Sequence, residues 1–247
     1  MHPPREIDMH VFKGIEKTAK RLVPSNWRKY FRASKYELLM QRLAPVDLVV
    51  HVGAHWAEDA AFYEQCGART VLWIEADPDT YAELTRVLSA HKGPARHLSE
   101  CALVSDETGQ QLGFNRFVGD GSSSSVHKST DEMKTRFPDT AESGEVLNLT
   151  TRTLSDILAR HDIDIASAQR AMLVVDVQGH ELSVLQGLGD GLKAFAMCKC
   201  EVSRVALYAG GAMFGDIDAH MRSMGFHLAS HRPVQVPRHG DVLYLRE

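Results

Sequence analysis

Residues 48–75 read LVVHVGAHWAEDAAFYEQCGARTVLWIE, and the order of features in this stretch decides the fold. An apolar run, Leu48 to Val52, stops at Gly53. A helical pattern follows and closes at Cys66-Gly67. A second apolar run, Thr70 to Ile74, ends in Glu75. The order is strand, tight turn, helix, strand, with an acid at the tip of the second strand. Nucleotide-binding α/β sheets hold ribose in this way. The turn glycine lets a ligand approach the backbone, and the carboxylate accepts hydrogen bonds from two ribose hydroxyls.

The turn also discriminates between nucleotides. A dinucleotide fold uses three glycines, G-x-G-x-x-G, to bring a pyrophosphate onto a helix N-terminus. Here Gly53-Ala54-His55-Trp56-Ala57-Glu58 has one, and Glu58 and Asp59 follow where a phosphate would be repelled. A ligand with ribose and no phosphate fits better, and S-adenosylmethionine is the common one. A nicotinamide-dependent oxidoreductase of similar fold is the competing enzyme reading, disfavoured by the missing glycines. A non-catalytic cofactor-binding or scaffold protein is the reading from another class.

Working outward, 247 residues make one large domain, or one domain with an appendage. With 44% apolar and 24% charged residues, the composition is that of a soluble globular protein. A net charge of −4 argues against bulk nucleic-acid binding. The charge is uneven. Residues 1–45 hold Arg5, Lys13, Lys17, Lys20, Arg21, Arg28, Lys29, Arg32, Lys35 and Arg42 against only Glu6, Asp8, Glu16 and Glu37. They read as a basic helical extension, with helices over about 7–22 and 26–43 broken at Pro24, leaving 46–247 as the main domain. The extension is expected to act as a cap, a lid, a homodimer contact or a dock for an acidic partner. Cys66, Cys101, Cys198 and Cys200 show no zinc spacing and suit a reducing cytoplasm. No apolar run approaches a membrane span, and no H-E-x-x-H pattern occurs among the histidines, so no metal is expected.

Downstream, strands and helices alternate. Asp77-Pro78 starts a helix to about His91, and Arg96–Val104 holds a strand. Gln111–Val118 is another strand. Residues 119–143, opening with GDGSSSS, read as a long polar loop, and Leu147–Leu149 resumes a strand. Ala171–Val177 is a buried strand with a lone acid, Asp176, and a helix runs from Gly179 to Leu192. Ala196–Val202 is a strand with Glu201 near its end. A helix over Gly215–Met224 precedes two closing strands, His227–His231 and Val242–Leu245. This rhythm predicts a doubly wound, mostly parallel, Rossmann-like sheet with an antiparallel C-terminal edge hairpin.

The motif order resembles the FkbM family of S-adenosylmethionine-dependent methyltransferases. The family's D-V-G-A-N-x-G turn appears as His51-Val52-Gly53-Ala54-His55-Trp56-Ala57, and its acid-ended second strand as Ile74-Glu75-Ala76-Asp77-Pro78. The n-x-A-x-S-D-x-x-G segment appears as residues 101–109, CALVSDETG. A serine pair is matched within Ser122–Ser125, and a threonine-leucine-aspartate element as Thr153-Leu154-Ser155-Asp156. The most specific motif, I-D-V-E-G-x-E-x-x-V-L-x-G, appears as residues 175–187, VDVQGHELSVLQG. His51 stands where an acid is common, His55 and Ala57 where Asn and Gly are, and Gln178 where the motif has its first glutamate.

The resemblance implies methyl transfer to a hydroxyl on a sugar, glycan or secondary metabolite. It places the cofactor against His51, Gly53, Ala54, His55, Glu75, Ala76, Cys101, Ala102 and Asp176. Asp176, His180 and Glu201 are the candidate catalytic groups, since a base must take the hydroxyl's proton. Ser124, Ser125 and His127 are candidates for the acceptor if their loop folds over the site. Glu181 faces elsewhere on its helix and is expected to hold a loop or backbone amides instead. The basic residues 1–45 would suit a phosphate-bearing acceptor.

Overall fold

The computed structural model describes residues 40, 41, 43–119, 121–229 and 238–246. The helices expected over 7–22 and 26–43 lie almost wholly outside them, apart from helical residues at Met40, Gln41 and Leu43. The opening stretch folds as read, with β1 (Leu48–Val52), α1 (Ala60–Gln65) and β2 (Thr70–Glu75). Helix α1 starts at Ala60 rather than Trp56. His55 and Ala57 adopt positive φ, at 46° and 59°, and a helix cannot begin until the chain leaves that region. After β2 come α2 (Pro78–Ala90), β3 (Arg96–Cys101), β7 (Ala171–Val175), α5 (Glu181–Gln186), β8 (Met197–Ser203), α6 (Phe214–Ser223), β9 (Phe226–Leu228) and β10 (His239–Arg246).

The main sheet has seven strands in the order β3-β2-β1-β7-β8-β10-β9. Strands β3, β2, β1, β7 and β8 are parallel, and β10 runs antiparallel to both β8 and β9. The expected antiparallel C-terminal pair is present. Its second member lies inside the sheet, between β8 and β9. The chain winds outward from β1 to β3, returns, and winds from β7 to β8 in the opposite direction. The sheet therefore reverses between β1 and β7, and ligands bind at that point beyond the strands' carboxyl ends.

One face of the sheet packs Val50, Val52, Leu173, Val175, Cys198 and Cys200 against Leu154, Ile157, Val184, Leu185, Ile217 and Met221. Those residues come from α4 (Leu154–Arg160), α5 and α6. The other face carries His51 and Trp73, cross-strand partners, with Tyr63 of α1 stacked on Trp73 at 5.4 Å. None of the four cysteines is in a disulfide, and Cys66, Cys198 and Cys200 are buried.

Residues 102–152 differ most from expectation. The strand expected over 96–104 divides after Cys101: the last ladder bond to β2 is from Ala102 to the Glu75 carbonyl, and Leu103–Val104 pair with a different strand. Leu103–Val104 (β4), Gln111–Phe117 (β5) and Glu142–Arg152 (β6) form a separate three-stranded sheet, β4-β6-β5. The segment 119–143 is not a plain polar loop. It contains α3 (Asp131–Arg136), capped by Thr130, and Ser125 is fully buried in a bridge with Asn115. Phe117 and Met133 pack with Leu207 and Tyr208, tying this insertion to the chain after β8. The helix expected over 179–192 is likewise split into α5 and a 3-10 turn over Gly189–Ala194.

Candidate cofactor and transfer site

At the end of β1, Gly53 and Ala54 both donate to the Ile74 carbonyl, at 2.9 and 3.0 Å, which latches the turn onto β2. Gly53 has φ +80°, and a Cβ there would lie 1.7 Å from the Asp176 carbonyl oxygen. The glycine is thus required by the neighbouring strand as well as by any ligand. Glu75 ends β2 with its carboxylate in a ring of backbone amides. Its Oε2 accepts from His55 at 3.0 Å, and its Oε1 from Ala76 at 2.8 Å and Asp77 at 3.0 Å. Burial pushes this carboxyl upward and the three amides oppose it. A carboxylate has about four acceptor positions, so one remains for a ligand hydroxyl.

Asp77 caps α2 and is gripped by Arg116 of β5 through a two-pronged pair at 2.6 and 2.7 Å. The insertion is therefore anchored beside Glu75. Cys101 is the cross-strand partner of Glu75, and its Sγ faces the Ala76 carbonyl at 3.9 Å. The structure brings Gly53, Ala54, His55, Glu75, Ala76, Cys101 and Ala102 to one edge.

His51 is turned into the protein. Its Nδ1 lies 3.1 Å from the Tyr63 hydroxyl, which donates to Asp59 at 3.2 Å. The imidazole must then donate from Nδ1. Burial lowers its pKa to about 4, so it is neutral near pH 7. The Asp59 and Glu58 charges, just ahead of α1, oppose that lowering.

The β7–β8 end has a different construction. Asp176 follows β7 and Glu201 lies in β8. The Gln178 side-chain amide donates to both, at 2.6 Å to Asp176 Oδ1 and 3.0 Å to Glu201 Oε2. Gln178 holds φ +57°, and the Ser125 hydroxyl donates to its carbonyl at 2.7 Å. The Tyr208 hydroxyl contacts Gln178 Oε1 at 2.7 Å and the Ser123 carbonyl at 3.1 Å. This fixes which end of the amide faces the carboxylates. The glutamine at a position where the family motif has glutamate so avoids a third carboxylate.

Burial raises Asp176, with Asp241 adding to it. Glu201 is pushed far up by burial and by the Asp176, Glu181 and Asp241 charges. Facing each other across the Gln178 amide, the two carboxyls titrate as a pair, both pushed upward. Lys199 lies behind it, paired with Asp241 at 3.1 Å. Burial works against the Lys199 ammonium, but the Asp241, Asp59 and Asp176 charges outweigh it.

Two groups behave differently from the acids. The His180 Nε2 lies 3.0 Å from the Ser105 hydroxyl, and burial lowers its pKa to about 4. Its ring lies tilted beside His127, ring centres 5.5 Å apart, rather than joined to Asp176 and Glu201. Glu181 folds back to accept from Val177 and Gly179, at 3.1 and 3.0 Å, and burial raises it to about 7. Ser124 accepts from the Phe117 amide, and Ser125 accepts from the His127 amide, so both hydroxyls knit the insertion together.

Oxygens of Asp176, Glu201 and Asp241 lie within 4.8 Å of one another. Lys199 and the Gln178 amide already supply positive ends to that cluster. Glu64, His91 and His97 gather at the opposite sheet edge. There the Trp73 indole donates to His97 Nδ1 at 3.0 Å, so the neutral ring's proton sits on Nε2, facing Glu64. That nitrogen has no lone pair for a metal.

The sequence reading missed Gln178 as a bridge, and also Lys199, Tyr208, His239 and Asp241. The signal for Lys199 was a lysine inside the buried run MCKCEVS. Asp241 becomes visible only through register, since β10 places it opposite Glu201.

Several solved structures are similar at low identity. One is magnesium protoporphyrin IX methyltransferase from Synechocystis PCC 6803 with bound SAM, 10% identical, TM-score 0.42, covering 99% of this chain and 87% of that one. Another is a TehB-like SAM-dependent methyltransferase from Corynebacterium glutamicum, 11% identical, TM-score 0.42, covering 95% and 99%. A third is a protein of the NADB-Rossmann superfamily from Streptococcus agalactiae, 11% identical, TM-score 0.47, covering 87% and 69%. At these scores the likeness carries no argument. No curated protein sequence matches the chain. The decisive finding is the family model of the methyltransferase FkbM domain, which matches residues 47–228 across the glycine turn, Glu75 and the Asp176 motif. The chain belongs to the FkbM methyltransferase family, and its cofactor is S-adenosylmethionine.

Proposed function

We propose that the protein transfers the methyl group of S-adenosylmethionine to a hydroxyl of a sugar, glycan or secondary metabolite, using 46–247 as the methyltransferase domain. One observation carries this reading: the Asp176–Glu201 pair, bridged by Gln178, stands on the same sheet edge as the Gly53 turn and Glu75. The residues fit the cofactor. Glu75 is pre-aimed and retains acceptor capacity for a ribose hydroxyl, Asp59 gives a carboxylate near the end of β1, and no glycine-rich phosphate cradle is present in the turn.

When bound, the cofactor supplies an activated methyl on a positively charged sulfur. The residues then have three tasks. Glu75, aimed by the turn amides, holds the nucleoside end. The Asp176–Glu201 pair, raised by burial, is the group placed to take the acceptor's proton. Such base assistance contributes about 10²–10⁴-fold. Alignment of acceptor and methyl contributes more, roughly 7–11 kcal/mol of the barrier. His180 is the weaker candidate base, being lowered to about 4 and engaged with Ser105. His127 borders it and belongs to the acceptor side.

No described helix is long and apolar enough to cross a membrane. Buried reduced thiols at Cys66, Cys198 and Cys200 support a cytoplasmic setting. The basic residues 1–45 support a phosphate-bearing acceptor or a homodimer contact, both part of this proposal. The test is mass spectrometry of reactions with S-adenosylmethionine and candidate sugars, nucleotide-sugars and hydroxylated metabolites. An acceptor that gains a methyl on oxygen is the expected result. Methyl appearing only on nitrogen or carbon overturns the O-transfer reading.

A further inference from the structure

We propose that Lys199 is the built-in counter-ion of the proton-accepting site, a fixed ammonium beneath Asp176, Glu201 and Asp241 that favours the ionised carboxylate needed to take the acceptor's proton. This rests on the methyl-transfer reading above and adds a positioning residue to it.

Strand register makes the arrangement. Successive side chains of a strand face opposite sides of the sheet. Cys198, Cys200 and Val202 of β8 enter the apolar core, so Lys199 and Glu201 face the other side. Val175 pairs with Cys200, which brings Asp176 level with Glu201, and Glu201 pairs with Asp241 of β10. Three carboxyls from three neighbouring strands thus form one row, with oxygens within 4.8 Å of one another. Lys199 stands one side chain further in on the same face, its Nζ 3.1 Å from Asp241 Oδ2.

Carboxyls this close disfavour one another's ionisation. The other titratable groups that act on the row are His51 of β1, Asp59 ahead of α1, Tyr63 of α1, Glu181 of α5, His239 of β10 and Tyr208. None of them supplies positive charge near pH 7. Burial lowers both histidines and raises both tyrosines, which stay neutral. Among these groups Lys199 alone is a cation. Its charge opposes the upward shift of Asp176, and the Asp241, Asp59 and Asp176 charges keep it protonated against burial. A buried ammonium is costly even when paired, and methionine would fill the same length of strand face without that cost. What lysine adds there is charge.

In the transfer, the acceptor oxygen bonds to the methyl carbon. The carbon–sulfur bond breaks, and its electron pair stays on sulfur as a neutral thioether. The acceptor's proton passes to the Asp176–Glu201 pair. The sulfonium's positive charge and a carboxylate's negative charge therefore vanish together, and the proton must leave before the next turnover. The Lys199 charge persists through the cycle and favours that departure.

The test reads the carboxyls directly, by NMR of the full chain with isotope-labelled aspartate and glutamate carboxyls, saturated with S-adenosylhomocysteine. Asp176→Asn identifies the Asp176 resonance by its loss. Lys199→Met should move the Asp176 midpoint upward by about one pH unit or more, and Lys199→Arg, which keeps the charge, should hold it within about half a unit. If Lys199→Met alone leaves Asp241 unpaired and the chain unfolded, Asp241→Asn is compared with the Lys199→Met/Asp241→Asn double variant, and the same upward shift is expected. A purely structural lysine would lower the melting temperature and leave the midpoint in place, so an unmoved midpoint overturns the proposal while the base reading stands. Manganese ion titrated into the wild type should leave the Asp176 and Glu201 resonances sharp. Selective broadening of both would put a metal where the lysine is assigned and overturn it equally. Wild-type turnover in both Asp176→Asn and Glu201→Gln, on an acceptor found by the mass spectrometry above, would sink the base reading and this proposal together.

Discussion

The β2 end and the β7–β8 end of the site hold their carboxylates by different means. Glu75 is pinned by amides of His55, Ala76 and Asp77, all within two short turns. Asp176 and Glu201 are held by side chains from distant segments: the Gln178 amide, aimed by Tyr208, with the Lys199–Asp241 pair behind. Backbone amides cannot change protonation, and they form wherever the turn forms. Side-chain bridges can reorganise as charge moves. An unchanging ribose suits the first construction, and a step that consumes a positive charge and releases a proton suits the second.

The largest expected effect comes from joining the two ends by force. Gly53→Ala would place a methyl 1.7 Å from the Asp176 carbonyl oxygen at φ +80°. Strain and displacement of β7 together should cost roughly 3 kcal/mol or more. Thermal melting should show a drop of several degrees, and calorimetry should show no S-adenosylhomocysteine binding. A wild-type melting temperature would mean that the turn and β7 are not coupled.

Next comes a backbone-held acid at the second end. Glu181 has two amide partners where Glu75 has three, and it is more deeply buried. Its pKa is raised from an ordinary 4.5 to about 7 by burial, so the folded state binds the proton more tightly than the unfolded chain. Stability from this group is full below about pH 4.5 and is lost as pH rises through about 7. The loss amounts to at most about 3 kcal/mol. Glu181→Gln keeps an oxygen for both amides and removes the charge. Urea unfolding should show the variant gaining on the wild type between pH 5 and pH 8. A difference that stays flat with pH would mean that Glu181 is not the source.

The same division separates what was legible in the sequence. The β1–β2 unit, Glu75 and the Asp176 motif were readable because each depends on residues within a few positions. Strand β6 was underestimated, Glu142–Arg152 against an expected Leu147–Leu149, because its outer half is exposed and carries no apolar signal. The serine segment reads as solvated, yet Ser125 is buried because Gln178 and His127 use its hydroxyl. The partnership with Gln178 crosses 53 residues, and no local pattern announces it. Of the three candidate catalytic groups, Asp176 and Glu201 come together and His180 stands apart against Ser105, since the Gly179 turn sends it toward β4.

Glu75→Gln sharpens the comparison at the first end. The neutral amide keeps one acceptor oxygen and loses the charge that strengthens its bonds. Affinity for S-adenosylmethionine and for S-adenosylhomocysteine should fall equally, by about tenfold, as charged hydrogen bonds exceed neutral ones by about 1–1.5 kcal/mol. Unequal losses would mean that Glu75 senses the sulfonium rather than the ribose.

Tyr208→Phe gives the smallest effect and tests the second end most directly. Its hydroxyl is the donor that directs Gln178 Oε1 away from the carboxylates. Without it the amide can flip and turn its oxygen toward Asp176 and Glu201. Losing one such hydrogen bond costs about 1 kcal/mol. Removing the amide's donation also removes an interaction that favours the ionised form of Asp176. The pair should then ionise at higher pH. Turnover with any accepted acceptor should fall about fivefold at pH 7, the acid limb of its pH profile should move upward, and S-adenosylhomocysteine affinity should stay unchanged. A structural role alone would lower the melting temperature and leave the profile where it was. An unmoved acid limb would therefore show that the carboxylates keep their charge state without Tyr208, and that the second end is held as rigidly as the first.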